Sequence, residues 1–151
     1  MVISDAGWLE LVEGVRLEVL ARKAVHTALE ATEPDFAGPA ELALLLTNDD
    51  EQRALNKKWR GRDNTTNVLS FPQVESFLPL SALLGDIILA RQTVANEAQE
   101  GQIPLEHHYV HLVVHGFLHI LGYDHQIEEQ ARLMEGLETQ ILKTLGVPDP
   151  Y

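Results

Sequence analysis

The segment HGFLHILGYDH, from His115 to His125, restricts this chain more than any other stretch. Its three histidines, at 115, 119 and 125, stand in a run that is otherwise almost wholly apolar. The helix predicted over 104–121 is apolar nearly all round, so it belongs in a core. Its polar exceptions are His107, His108, His111, His115 and His119, and four of them are spaced by four residues. Such residues form one stripe that drifts about 40° per step. His115 and His119 therefore reach one point, and a turn at Gly122 brings His125 back to it. Three neutral imidazoles suit zinc, with a fourth position left for water. One zinc per chain is expected, and ligand type alone leaves nickel, cobalt or another divalent metal open.

The spacing of His115, His119, Gly122 and His125 is shared with zinc peptidases of the pattern H-E-x-x-H-x-x-G-x-x-H. In that pattern the glutamate is the general base. Here its position holds Gly116, which has no proton acceptor on a side chain. Peptide hydrolysis is therefore disfavoured. A peptidase or amidase with a remote base, or a non-catalytic rRNA- or ribosome-binding assembly factor whose metal is structural, stand as alternatives.

The rest of the chain supplies a frame. Its 151 residues suit a single domain over 1–151. A short strand is predicted at 8–12 and helices at 15–31, 48–60, 91–100, 104–121 and 127–145. Further strands are predicted at 41–46, 66–71 and 83–90, the first of them buried on both faces. Pro34, Gly38 and Pro39 close the first helical segment, and a loop with Pro72 and Pro79 joins the last two strands. In the final helix Ile127, Ala131, Met134, Leu137, Ile141 and Leu145 are expected on one face. The fold class is α+β: a small, mostly parallel mixed sheet packed with about five helices, the metal site in a cleft. There is no cysteine, so disulfides and thiolate metal sites are excluded. The first fifteen residues carry acids and no base, unlike a secretory signal, and no apolar run approaches a membrane span of about 18 residues. A cytoplasmic protein with no membrane partner is expected.

The formal charge of −12 argues against a polyanionic partner overall. Yet five of the eleven Lys and Arg residues fall between 53 and 62: Arg53, Lys57, Lys58, Arg60 and Arg62. They can complement the end of a helix, or grip a phosphate locally. Arg60 precedes Gly61 and can sit at a cleft edge, where its planar fork can hold phosphate oxygens bidentately. His111, one turn before His115, is a candidate proton shuttle or support for a ligand; Asp124 and Asp86 are candidates for orienting a histidine or for local structure.

HGFLHILGYDH resembles the H-G-x-L-H-x-x-G-Y-D-H signature of the YbeY family of bacterial metal-dependent endoribonucleases. LNKKWRGRDNTTNVLSFP (55–72) and LLGDIILAR (83–91) are similar to two further segments of that family, in the same order. The likeness covers roughly 41–151 and departs at Thr65, where the family usually has proline. The resemblance implies a ribonuclease of single-stranded RNA, acting in 3′-end maturation of small-subunit rRNA and in ribosome quality control, in company with ribosomal proteins or assembly factors. It implies His115, His119 and His125 as metal ligands and Arg60 as a catalytic residue.

Overall fold

A computed structural model describes residues 1–36, 39–72 and 83–151. Gly38 and Pro79 lie outside the described residues. The elements run β1 (Val2–Ile3), α1 (Gly7–Leu11), α2 (Gly14–Thr32), β2 (Glu41–Thr47), α3 (Asp49–Arg60), β3 (Val68–Pro72), β4 (Leu83–Ala90), α4 (Arg91–Glu100), α5 (Leu105–Ile120) and α6 (Glu128–Thr144). The sheet order is β1-β2-β4-β3. β1 pairs with β2 and β2 with β4 in parallel, and β3 runs antiparallel to β4 as an edge strand. This is the α+β fold with a mostly parallel sheet that the sequence predicts.

The predicted strand at 8–12 is instead α1. The reason is local: Asp5 Oδ1 accepts the Gly7 N–H at 3.0 Å, and Trp8 is wholly buried with its indole donating to the Thr47 carbonyl at 2.8 Å. The first strand is instead Val2–Ile3, and α1 brings the described helices to six.

α5 is the central element. Ten of its residues are buried, among them Val113, Phe117 and Leu118, against α2, α6 and the β3–β4 side of the sheet. Each large side chain buried there contributes about 1.5–3 kcal/mol. The other face of the sheet is only partly covered by α3. Leu44 and Leu46 are buried, while Ala43 is exposed and Leu45 half-buried, so β2 is not buried on both faces as its apolar run suggests. A groove of about 440 Å³ lies over that face, lined by Leu45, Leu55, Trp59, Phe71, Asp86 and Ile88 among others. Asp86 therefore stands on the side of the sheet away from the histidine helix.

On α6, Met134 and Ile141 are buried and Leu137 half-buried, as the spacing predicts, but Ile127 precedes the helix as its N-cap and is exposed. The buried set also includes Glu138, at 0% exposure, which an apolar-face reading passes over.

Candidate metal centre

α5 carries the first two histidines. Pro104, at its N-cap, lacks the N–H that a helix start leaves unpaired anyway. The helix ends after Ile120, and Gly122 adopts φ 105°, a left-handed value that a glycine tolerates. The Tyr123 N–H then donates to the Leu118 carbonyl at 3.0 Å, and Asp124 Oδ1 accepts the His125 N–H at 2.7 Å. Asp124 thus fixes the turn rather than a histidine ring. His125 comes back over α5, with its ring centroid 5.5 Å from that of His115 and 4.9 Å from that of His119.

The two ligand candidates on α5 are held from behind. His119 Nδ1 lies 3.0 Å from the Tyr123 carbonyl, which can only accept, so Nδ1 carries the proton. His115 Nδ1 lies 2.5 Å from Glu138 Oε1 and donates to it. Neutral rings in these tautomers turn bare Nε2 lone pairs toward each other, 3.1 Å apart. Two lone pairs so placed repel unless a proton or a cation sits between them. Tetrahedral zinc with bonds of about 2.0–2.1 Å requires nitrogen atoms roughly 3.3–3.4 Å apart. His115, His119 and His125 offer ligand atoms that all lie within 4.8 Å of one another. The donor set therefore fits a divalent metal. Burial first, then the neighbouring His115 and His125, pushes His119 below the ordinary histidine range, toward the neutral form that ligates. The group opens to solvent on the side of His125, which is exposed.

Behind His115 sits Glu138. It accepts from His115 Nδ1, from His111 Nε2 at 3.1 Å and from the Tyr151 hydroxyl. Burial drives this carboxyl up, but the three donors outweigh it and hold it at about 2. Tyr151 is raised above the ordinary phenol value, by burial and then by the adjacent carboxylate. His111 packs edge-on to His115, with centroids 6.3 Å apart, and its Nε2 is turned to Glu138. Glu138 is the site residue that sequence reasoning missed. The signal available was one acid inside an apolar helix stripe, flanked by Met134, Leu137 and Ile141.

Gly116 follows His115 and lies where α5 presses on the sheet. A Cβ there would meet Ser70 Oγ at 3.0 Å, Ile87 Cγ2 at 3.1 Å and Val68 Cγ2 at 3.3 Å. A side chain at this position points into the sheet. The place that holds the base in the peptidase pattern lacks the group and also the room for it.

Arg60, the last residue of α3, reaches the edge strand. Its guanidinium stacks 5.0 Å over the Phe71 ring, and Nη2 donates to the Ser70 carbonyl. Ser70 Oγ in turn donates to the Gly116 carbonyl at 3.1 Å. Two hydrogen bonds thus link Arg60 to the residue after His115. Around it, Trp59 is 64% exposed with Lys58 Nζ 5.0 Å above its ring, while Arg53 is paired with Asp63 at 2.8 Å.

The sequence model of the family described as endoribonuclease YbeY matches residues 9–146. A Rhodopseudomonas palustris protein named endoribonuclease YbeY is 50% identical over 137 residues, which are 89% of this chain and 72% of that one. An Allorhizobium ampelinum protein of the same name is 45% identical over 155 residues, covering 100% of this chain and 92% of its own. The solution structure of TM1509 from Thermotoga maritima superposes with a TM-score of 0.57 at 26% identity, over 89% of this chain and 87% of that one.

Proposed function

The chain belongs to the endoribonuclease YbeY family, and from that premise we propose that it is a metal-dependent endoribonuclease that cuts single-stranded RNA. His115, His119 and His125 hold the metal, zinc in the first instance and nickel or another divalent ion otherwise. The chemistry supplied by such an ion is Lewis-acid polarisation of a phosphoryl oxygen and acidification of water. Arg60 binds the phosphate. One of its five N–H donors is engaged by Ser70, and others can face phosphate oxygens as charge builds on phosphorus. Lys58, with Nζ 5.0 Å over the exposed Trp59 ring, offers a single strand a cation for its backbone beside a ring on which a base can stack, and Lys57 is a further exposed cation on the same turn. His111 is engaged by Glu138, which favours a supporting role behind His115 over proton transfer to substrate.

The observation that carries this reading is the convergence of three histidines beside a glycine pressed against the sheet. It supports metal chemistry and disfavours peptide hydrolysis. The family resemblance extends the proposal to small-subunit rRNA, with 3′-end maturation and ribosome quality control as its setting, ribosomal proteins or assembly factors as partners and the cytoplasm as its compartment. Among the described residues no helix is long and apolar enough to cross a membrane. The test is cleavage of an end-labelled single-stranded RNA by purified protein of measured metal content. Cleavage that chelator abolishes and zinc restores supports the proposal; no cleavage, or cleavage indifferent to chelator, overturns it.

A further inference from the structure

Glu138 stands on α6 among Met134, Ile141 and Leu142 and has no exposed surface. A carboxylate in such a place is costly unless hydrogen bonds replace its water. Three donors do so, and they divide between its oxygens. Oε1 takes His115 Nδ1, while Oε2 takes His111 Nε2 and the Tyr151 hydroxyl. Tyr151 also lies edge-on to His111, with centroids 5.8 Å apart. Merely joining α5 to α6 would not require that Glu138 meet the one atom of His115 that sets its tautomer. Yet it meets that atom, at 2.5 Å, and so leaves the opposite nitrogen bare and aimed at His119.

We infer that Glu138 is the positioning residue of the metal centre: it fixes His115 with Nδ1 protonated and Nε2 presented to the ion, and His111 and Tyr151 fix Glu138. The inference rests on the reading that His115, His119 and His125 hold a metal. His111, His115 and Glu138 also satisfy the distances of a ligand group. A second ion there would need His115 Nδ1 deprotonated. The His115 and Glu138 atoms, 2.5 Å apart, stand too close to share an ion with bonds of about 2.0–2.1 Å in tetrahedral array, and the His111 contact at 3.1 Å has the length of a hydrogen bond. Partners of this kind orient the ring and raise its basicity, and their removal typically costs about 10–100-fold in metal affinity.

The experiment is zinc affinity of the full chain, by competition with a chromophoric chelator, for wild type, Glu138→Gln, Tyr151→Phe and His119→Ala. It is read together with the cobalt(II) absorption spectrum and the His115 tautomer from long-range nitrogen–proton NMR of the zinc form. Wild type should bind one zinc with His115 protonated at Nδ1. Glu138→Gln should bind zinc about 10–100-fold more weakly and change the cobalt spectrum. Tyr151→Phe should weaken binding in the same direction by a smaller factor. Should Glu138→Gln fail to fold by circular dichroism, Tyr151→Phe decides the matter, because Tyr151 is 59% exposed and its hydroxyl is not needed for packing. Wild-type affinity and cobalt spectra in the folded variants would overturn the inference, as would two zinc ions per chain. The underlying metal reading has its own readout: it fails if wild type takes up no zinc or if His119→Ala binds as well as wild type.

Discussion

The Nε2 atoms of His115 and His119 face each other at 3.1 Å while both Nδ1 atoms are committed elsewhere, one to Glu138 and one to the Tyr123 carbonyl. Neither ring can turn away without losing a hydrogen bond. The pair is therefore preorganised for a cation. His119→Ala removes one of three ligands and should reduce tightly held zinc from about one per chain to well below that, measured by elemental analysis after dialysis. Undiminished zinc in the variant would place the metal elsewhere.

Gly116 gives a second expectation. Alanine is the better helix former by about 1 kcal/mol, and in an open helix it would stabilise. Here the added methyl meets Ser70 Oγ, Val68 and the wholly buried Ile87, all within 3.3 Å. Ser70 cannot swing aside without giving up its bond to the Gly116 carbonyl. Overpacking costs about 1–3 kcal/mol, so Gly116→Ala should lower stability by about 1 kcal/mol net in urea unfolding. A stabilised variant would mean that α5 lifts from the sheet easily.

These contacts show what could be read in the chain beforehand and what could not. The spacing of His115, His119 and His125 and the turn at Gly122 follow from helix geometry, so the cluster was legible. The strands at 41–46 and 83–90 were legible from their apolar runs, but not that one face of β2 stays open, since an apolar run carries no record of how far α3 extends over it. The region 8–12 misled because its fate is decided by Asp5 and by the Thr47 carbonyl, which lies 39 residues away from Trp8. Glu138 was hidden for the same kind of reason. A buried acid is explained only by its donors, and these come from α5 and from the tail beyond α6.

Asp5 offers a test by pH. The Arg91 guanidinium at 2.6 Å, and then the Gly7 N–H, hold its carboxyl below the usual range. A carboxyl whose pKa is lower in the folded state stabilises the fold above its unfolded value, near 3.9, and loses that contribution as pH falls through the folded value. Asp5→Asn should thus destabilise by about 1 kcal/mol at neutral pH, the upper end for an ion pair that water reaches. The gap between the two proteins should close as pH drops below about 4. Equal stabilities at neutral pH would show that the pair is a surface contact without weight.

The basic stretch bears on RNA affinity. Arg53 is paired with Asp63, while Lys57 and Lys58 are exposed cations on the last turn of α3, with Lys58 over the Trp59 ring. Each phosphate contact releases counterions, and the logarithm of the binding constant for a single strand falls with the logarithm of salt by about 0.7 per contact. Replacing Lys57 and Lys58 together by glutamine should weaken single-stranded RNA binding and flatten that slope by about 1.4 if both touch phosphate. An unchanged slope would make them a solvated helix end.

Arg60 carries the sharpest expectation for turnover. Its guanidinium packs on Phe71 and covers the Ser70 carbonyl of the edge strand, and Ser70 binds Gly116 beside His115. The charge is thereby held in place before substrate arrives, which is the condition under which a stabiliser of developing charge is worth most. Removing such a group typically lowers the rate by about 10²–10³. Arg60→Ala should show a loss of that order in single-turnover cleavage at saturating RNA, with zinc content unchanged because Arg60 is not among the ligands. Arg60→Lys keeps the charge but lacks the planar fork that bonds Ser70 and a phosphate at once, so it should recover only part of the rate. Thermal unfolding of both variants separates this loss from a loosened edge strand. A variant that keeps its zinc, its stability and the wild-type saturated rate would reduce Arg60 to a surface charge. A defect confined to RNA affinity would make it a positioning group for the strand rather than a stabiliser of the reacting phosphate.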